Sequence, residues 1–92
     1  KRQAEDRLVL CREEFKELDE LTIEATEDVI RNLSEKQNIK AAQFIHPLRM
    51  AISGVKGGPG LFELLEILGK EKVLFRIDRT LNQIKIRKQS GN

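Results

Sequence analysis

The chain has 92 residues, of which 39% are hydrophobic and 35% are charged, and its formal net charge is +2. This length suits one small domain and excludes a two-domain enzyme, because soluble domains mostly have about 100–150 residues. A single cysteine and a single histidine exclude an internal disulfide and a zinc ligand set. We therefore expect one domain over residues 1–92 in a reducing, cytoplasmic setting, with apolar runs too short to span a membrane.

The spacing of apolar residues predicts α-helices along nearly the whole chain. A first helix is predicted over about residues 3–20, where apolar side chains recur at intervals of three and four: Leu8, Cys11, Phe15 and Leu18. Thr22 is a suitable N-cap for a second helix, and Asn38 suits its C-terminus because Asn tolerates a left-handed backbone. The inward positions of this second helix would be Ile23, Val29, Ile30 and Leu33.

Three more helices are predicted after Asn38. The third ends at Gly54, and it accommodates Pro47 only if that residue lies in the first helical turn. The fourth runs over about residues 59–68, and the fifth runs over about residues 70–87. No segment alternates as a strand does, so the predicted fold is all-α, a compact bundle of about five helices. The expected shared core is Leu48, Ile52, Leu65, Leu68, Leu74, Ile77 and Leu81.

Charge is unevenly distributed along the chain. Residues 1–39 contain 7 basic and 11 acidic side chains, whereas residues 70–92 contain 7 basic and 2 acidic ones. A basic segment of this kind could bind phosphates by releasing counterions, but taken alone the charge distribution favours a solvated helix face. The candidate phosphate-binding residues are Lys56, Lys70, Lys72 and Arg76.

The segment over residues 54–60 contains four of the six glycines. Glycine allows a sharp turn and a close approach of the backbone to a ligand, and the N–H groups of the following helix would face an anion or a base edge. The alternative is a tight connection between two helices. The spacing is not that of a phosphate-binding Walker loop.

No catalytic constellation is present in the sequence. Cys11 falls on the apolar stripe of the first helix, which favours a buried small hydrophobe over a reactive thiol. His46 stands beside Phe44, Ile45 and Pro47, which favours a helix-start or packing residue over a general base. We therefore assign no catalytic residue and no metal ligand.

Three blocks in order carry a resemblance to a known family. They are HPLRMAISG over residues 46–54, GPGLFELL over residues 58–65, and LGKE over residues 68–71, followed by Arg76 and Ile77. Together they resemble the C-terminal end of bacterial glutamyl-tRNA synthetases. The resemblance implies a fragment of a longer class I synthetase, whose catalytic domain, absent here, uses ATP and magnesium. It also implies that this chain binds tRNA without charging it.

The resemblance further implies which residues meet the anticodon arm of the glutamate tRNA. Carried over by position, these anticodon-binding residues are Arg49, Gly58 and Leu61. Arginine offers a planar fork of donors to unstacked bases, and glycine offers only backbone groups. The other interpretation of Arg49 is an ion pair with an acidic residue of the first two helices. Because we expect the four phenylalanines to be mostly internal, we do not expect aromatic stacking to dominate.

The resemblance implies a covalently linked catalytic domain as a partner, and we expect a monomer that does not associate with membranes. A second hypothesis is a helical protein-interaction module without RNA binding. In that module, exposed Leu61 and Phe62 would anchor a partner, and the charge would be only a surface property.

Overall fold

A computed structural model describes residues 2–54 and 60–90, which form five α-helices and no strand. The helices are α1 (Arg2–Glu17), α2 (Ile23–Gln37), α3 (Ala42–Ile52), α4 (Leu61–Leu68) and α5 (Lys70–Ser90). The predicted all-α fold is confirmed. Helix ends differ from the predicted ones by about three residues at most: α1 stops before Leu18, α4 starts at Leu61, and α5 continues to Ser90.

Both predicted ends of α2 are confirmed. The Thr22 side chain accepts a hydrogen bond from the Ala25 N–H at 3.1 Å, which satisfies a donor that the helix leaves unpaired. Asn38 has φ 57° and ψ 44°, and its N–H donates to the Glu35 carbonyl. This left-handed residue turns the chain away from the helix and leads it into α3.

Helices α1 and α5 lie antiparallel along their whole lengths. At one end the Lys70 ammonium donates to the Leu18 carbonyl, in the middle Arg12 pairs with Asp78, and at the other end Lys88 pairs with Glu5. Helix α3 packs against both of them, and α4 packs against α2 and α5. These contacts fix the ends of α3 and α4, which flank the glycine-rich segment.

The core includes side chains from all five helices: Leu8, Cys11, Phe15, Val29, Ile30, Leu33, Phe44, Leu48, Ile52, Leu61, Leu65, Val73 and Ile77. Of the expected core, Leu68, Leu74 and Leu81 are only half-buried at its edge. Val73 takes the inner position on α5 that we predicted for Leu74, and it is fully buried in the core where α1, α3 and α4 pack against α5.

The buried residues of α2 differ from the predicted ones near the start of the helix. Thr26 is fully buried, while Ile23 is half-buried. The Thr26 hydroxyl donates to the Thr22 carbonyl at 2.8 Å, so its polar atom stays paired inside the core. In the first turns of α2 the fully buried position is therefore Thr26, which was not predicted, rather than Ile23, which was.

Our expectation for Pro47 is wrong. The first turn of α3 is already closed by the hydrogen bonds from Phe44 and Ile45 to the Ala41 carbonyl, at 2.9 and 3.0 Å, so Pro47 lies in the helix interior. A proline there removes a helical hydrogen bond. The helix continues because Phe44 and Leu48 on either side are fully buried. None of the helices in the described ranges is both long and apolar enough to cross a membrane.

Candidate nucleic-acid interface

Arg49 lies in the last turn of α3, just before the glycine-rich segment. Its carbonyl accepts hydrogen bonds from the backbone N–H groups of Ser53 and Gly54, at 2.9 and 3.2 Å. Gly54 has φ +72°, a conformation that L side chains rarely adopt, and this confirms the predicted helix stop. The Arg49 side chain is half-buried and leaves the helix one turn before that stop.

A second arginine reaches the same end of α3. Arg76 Nη1 donates to the Ile52 carbonyl at 2.7 Å, across from α5. A cation at a helix C-terminus is favourable because the unpaired carbonyls there carry partial negative charge. The structure therefore brings Arg76 to within one turn of Arg49.

Leu61 begins α4, and only 2% of its surface is exposed. The whole residue, backbone included, therefore offers almost no surface to a ligand. Beside it, the Gly60 N–H donates to Glu63 Oε1 at 3.2 Å, which puts a carboxylate at the start of α4. The predicted site residues Gly58 and Lys56 lie outside the residues that the structure describes.

Two of the predicted phosphate-binding residues occupy different surroundings. Lys70 donates to the Leu18 carbonyl at 2.7 Å and lines a shallow cleft with three carboxylates, those of Asp19, Glu20 and Glu66. Lys72 is exposed, and it shares a face of α5 with Arg76, because residues four apart are neighbours on a helix. Lys72 and Arg76 thus form a basic pair next to the end of α3, whereas Lys70 is among acidic groups.

The sequence analysis missed Phe75. Phe15 and Phe44 are buried as expected and Phe62 is half-buried, but Phe75 is 65% exposed on α5. The guanidinium carbon of Arg79 lies 5.9 Å from the centre of the Phe75 ring. Helical spacing contained the signal, because Phe75 is about 200° around the helix from Ile77, which was predicted to be in the core and is buried there.

Groups that could do other chemistry are dispersed. Cys11 is buried as predicted, and desolvation, aided by the nearby charge of Glu14, raises the pKa of its thiol to about 12. His46 is exposed beside a shallow cleft of about 250 Å³ next to Arg7 and Gln43, so it is neither a helix-start nor a core residue. Within residues 2–54 and 60–90, no group of three His, Cys, Asp or Glu residues could hold a metal ion.

Comparison with known proteins gives one consistent result. A family model described as an anticodon binding domain matches residues 1–81. The glutamate-tRNA ligase of Moorella thermoacetica is 46% identical over 75 residues, which are 82% of this chain and 15% of that protein. Glutamate-tRNA ligase 2 of Caldicellulosiruptor saccharolyticus is 41% identical over 75 residues, 82% of this chain and 16% of that protein.

A third relative supports the same grouping over a shorter stretch. Glutamate-tRNA ligase 1 of Syntrophomonas wolfei is 47% identical over 58 residues, 63% of this chain and 12% of that protein. The chain spans about 15% of the length of the relatives it matches. The resemblance that the three sequence blocks carry is thereby confirmed, and the chain belongs to the anticodon-binding domain family that is found in glutamate-tRNA ligases.

Proposed function

We propose that the chain binds the anticodon arm of a glutamate tRNA and positions that tRNA for a covalently linked catalytic domain of a glutamate-tRNA ligase. The observation that carries this proposal is the match to the anticodon binding domain over residues 1–81. ATP and magnesium belong to the catalytic domain, and the chain alone neither forms glutamyl adenylate nor transfers glutamate. On the basis of the same family match, we also propose that the protein is a cytoplasmic monomer.

Within this function, Arg49 donates to the edge of an anticodon base. Its place one turn before Gly54 supports this role, because Gly54 stops α3 there with a positive φ and so leaves Arg49 in the last turn of the helix. Arginine suits a base edge because its planar guanidinium presents donors in a fixed fork. Gly58 contributes backbone groups, which suits a glycine, whereas the buried Leu61 offers almost no surface to the RNA.

Phosphates of the same RNA lie along the basic side of α5. Lys72 and Arg76 are the principal contacts, because they are neighbours on one helix face and Arg76 reaches the end of α3. Lys56, outside the described residues, is a further phosphate contact that we propose on its charge alone. Lys70 contributes less, since its ammonium is engaged by the Leu18 carbonyl and three carboxylates line the same cleft.

The protein-interaction module is not favoured. It required Leu61 as an exposed anchor, and Leu61 is in the core. The family match supports RNA binding instead.

The test is the affinity of the 92-residue chain for RNA hairpins that carry the anticodon arm of a glutamate tRNA, with the second or third anticodon base changed. Arg49→Gln should reduce discrimination between cognate and altered hairpins by about 1–3 kcal/mol, the usual worth of a bidentate base contact. Lys72→Gln is the control and should weaken all hairpins alike. Equal weakening of every hairpin by Arg49→Gln would make Arg49 a phosphate-binding or structural residue.

A further inference from the structure

The outward face of α5 carries an exposed aromatic ring between two flanks that contact other helices. On one flank Arg76 reaches the end of α3, and on the other flank Asp78 pairs with Arg12 of α1. Phe75 lies between these flanks and is 65% exposed. A phenylalanine in this position adds nothing to the core, so its surface is available to a partner.

The charge around Phe75 indicates what kind of partner this is. Two carboxylates of α5 neighbour Phe75: Asp78 is held by Arg12, and the exposed Glu71 lies one helical turn before the ring. The opposite side of the ring has three cations, because Lys72, Arg76 and Arg79 follow one another at helical spacings of four and three. An exposed aromatic surface next to three cations complements a polyanion that also has planar apolar faces, which describes a single-stranded nucleic acid.

The ring and the nearest cation are already arranged for such a ligand. The guanidinium carbon of Arg79 lies 5.9 Å from the Phe75 ring centre, within the range of a cation–π contact. Most of Phe75 stays exposed beside this contact, so a base can reach the ring.

We infer that Phe75 is a stacking platform for one unpaired base of the bound RNA, while Lys72, Arg76 and Arg79 hold the phosphates beside that base. This inference rests on the proposed RNA-binding function. The platform is separate from base-edge reading by Arg49, and it accepts any base, because every base has a π face.

The first test uses the absence of tryptophan and tyrosine from the sequence. In a Phe75→Trp variant the new indole is the only strong fluorophore, and its emission should be quenched when a hairpin with the anticodon arm of a glutamate tRNA binds. The matched control is Ile67→Trp, because Ile67 is 73% exposed and lies on α4 rather than on α5 with Lys72, Arg76 and Arg79. Its emission should change little with the same RNA.

The second test measures affinity at fixed salt. Phe75→Ala should weaken binding of the hairpin by about 5- to 150-fold, the range for loss of one stacked base, and Phe75→Trp should retain wild-type affinity. A blunt RNA duplex without unpaired bases should bind the wild type and Phe75→Ala equally. Both variants should melt like the wild type, because position 75 is exposed.

The outcomes separate this inference from the proposed function. A wild-type chain that binds no hairpin overturns both. A wild-type chain that binds the hairpin, together with unchanged affinity of Phe75→Ala and unquenched Phe75→Trp, leaves the function standing and overturns the platform. Unchanged RNA affinity with altered self-association of Phe75→Ala in sedimentation makes this face a protein contact, which also overturns the platform.

Discussion

Arg76 donates from Nη1 to the backbone carbonyl of Ile52 at 2.7 Å, and this bond joins the middle of the basic helix α5 to the end of α3. The bond satisfies a carbonyl that the end of α3 leaves unpaired. It also holds a guanidinium beside the turn that contains Arg49. One side chain thus stabilises the fold and contributes charge to the proposed RNA surface.

This double role distinguishes Arg76 from Lys72. We expect Arg76→Gln to lower the free energy of unfolding by about 1 kcal/mol, because a carbonyl loses its charged partner, and to weaken RNA binding. Lys72→Gln should change stability by less than about 0.5 kcal/mol, because Lys72 is exposed. Urea unfolding followed by circular dichroism measures the free energy of unfolding of both variants.

The same two variants also test RNA binding, through the dependence of their RNA affinity on salt concentration. Lys72→Gln should reduce the slope of log affinity against log salt by about 0.7, the value for one phosphate contact on a single strand. Equal stability of Arg76→Gln and the wild type would show that the bond to Ile52 contributes nothing measurable. A salt slope unaffected by either variant would remove α5 from the RNA surface.

Leu65 tests the core. Its side chain is fully buried, so Leu65→Ala should lower the free energy of unfolding by about 2–5 kcal/mol through lost burial and a cavity. Small domains have little stability in reserve, and the variant is therefore expected to be partly unfolded at 37 °C. Ile67→Ala on the exposed side of the same helix is the control and should stay within about 0.5 kcal/mol. Identical melting curves for the two variants would contradict the placement of α4.

Asn38 tests the end of α2. Because its backbone is left-handed at φ 57°, Asn38→Gly should be neutral or slightly stabilising. Asn38→Ala should cost about 1 kcal/mol, since a Cβ makes this conformation unfavourable and alanine lacks the polar side chain that eases it. The measurement is again the urea midpoint. An alanine variant as stable as the glycine variant would mean that the chain leaves α2 in another conformation.

Cys11 tests burial through its chemistry. With the pKa of its thiol raised to about 12, Cys11 should resist alkylation by iodoacetamide at pH 8 in the folded chain and react at an ordinary rate in urea. Rapid labelling of the native chain at that pH would place the thiol at the surface.

The same shift has a consequence for stability at high pH. The unfolded thiol ionises near its ordinary pKa of about 8.5, while the folded thiol stays protonated. The unfolded state therefore binds fewer protons, and stability should fall as pH rises from about 8.5 toward 12. Cys11→Ala is the matched control, because it removes this contribution to the alkaline slope. Parallel pH curves for both proteins would show that Cys11 ionises alike in the two states.

Local signals in the sequence were sufficient to predict the five helices and several of the residues at which they begin or end. Thr22, Asn38 and Gly54 act through hydrogen bonds and backbone angles within a few residues, so composition and spacing predict them. The three sequence blocks that contain Arg49, Leu61 and Lys70 were sufficient to identify the family. These properties depend on residues that are close together in the sequence, so they can be predicted without knowing how the helices pack.

The tertiary structure decided which residues share a surface. Spacing alone did not show that Val73 would be the buried residue of α5, with Leu74 at the edge of the core and Phe75 outside it. It also did not show that Leu18 and Ile52 offer carbonyls to Lys70 and Arg76, because these partners lie 52 and 24 residues apart in the chain. Such contacts form only when helices pack. A basic residue of α5 therefore became a structural donor or a candidate RNA contact according to the neighbours that packing brought to it.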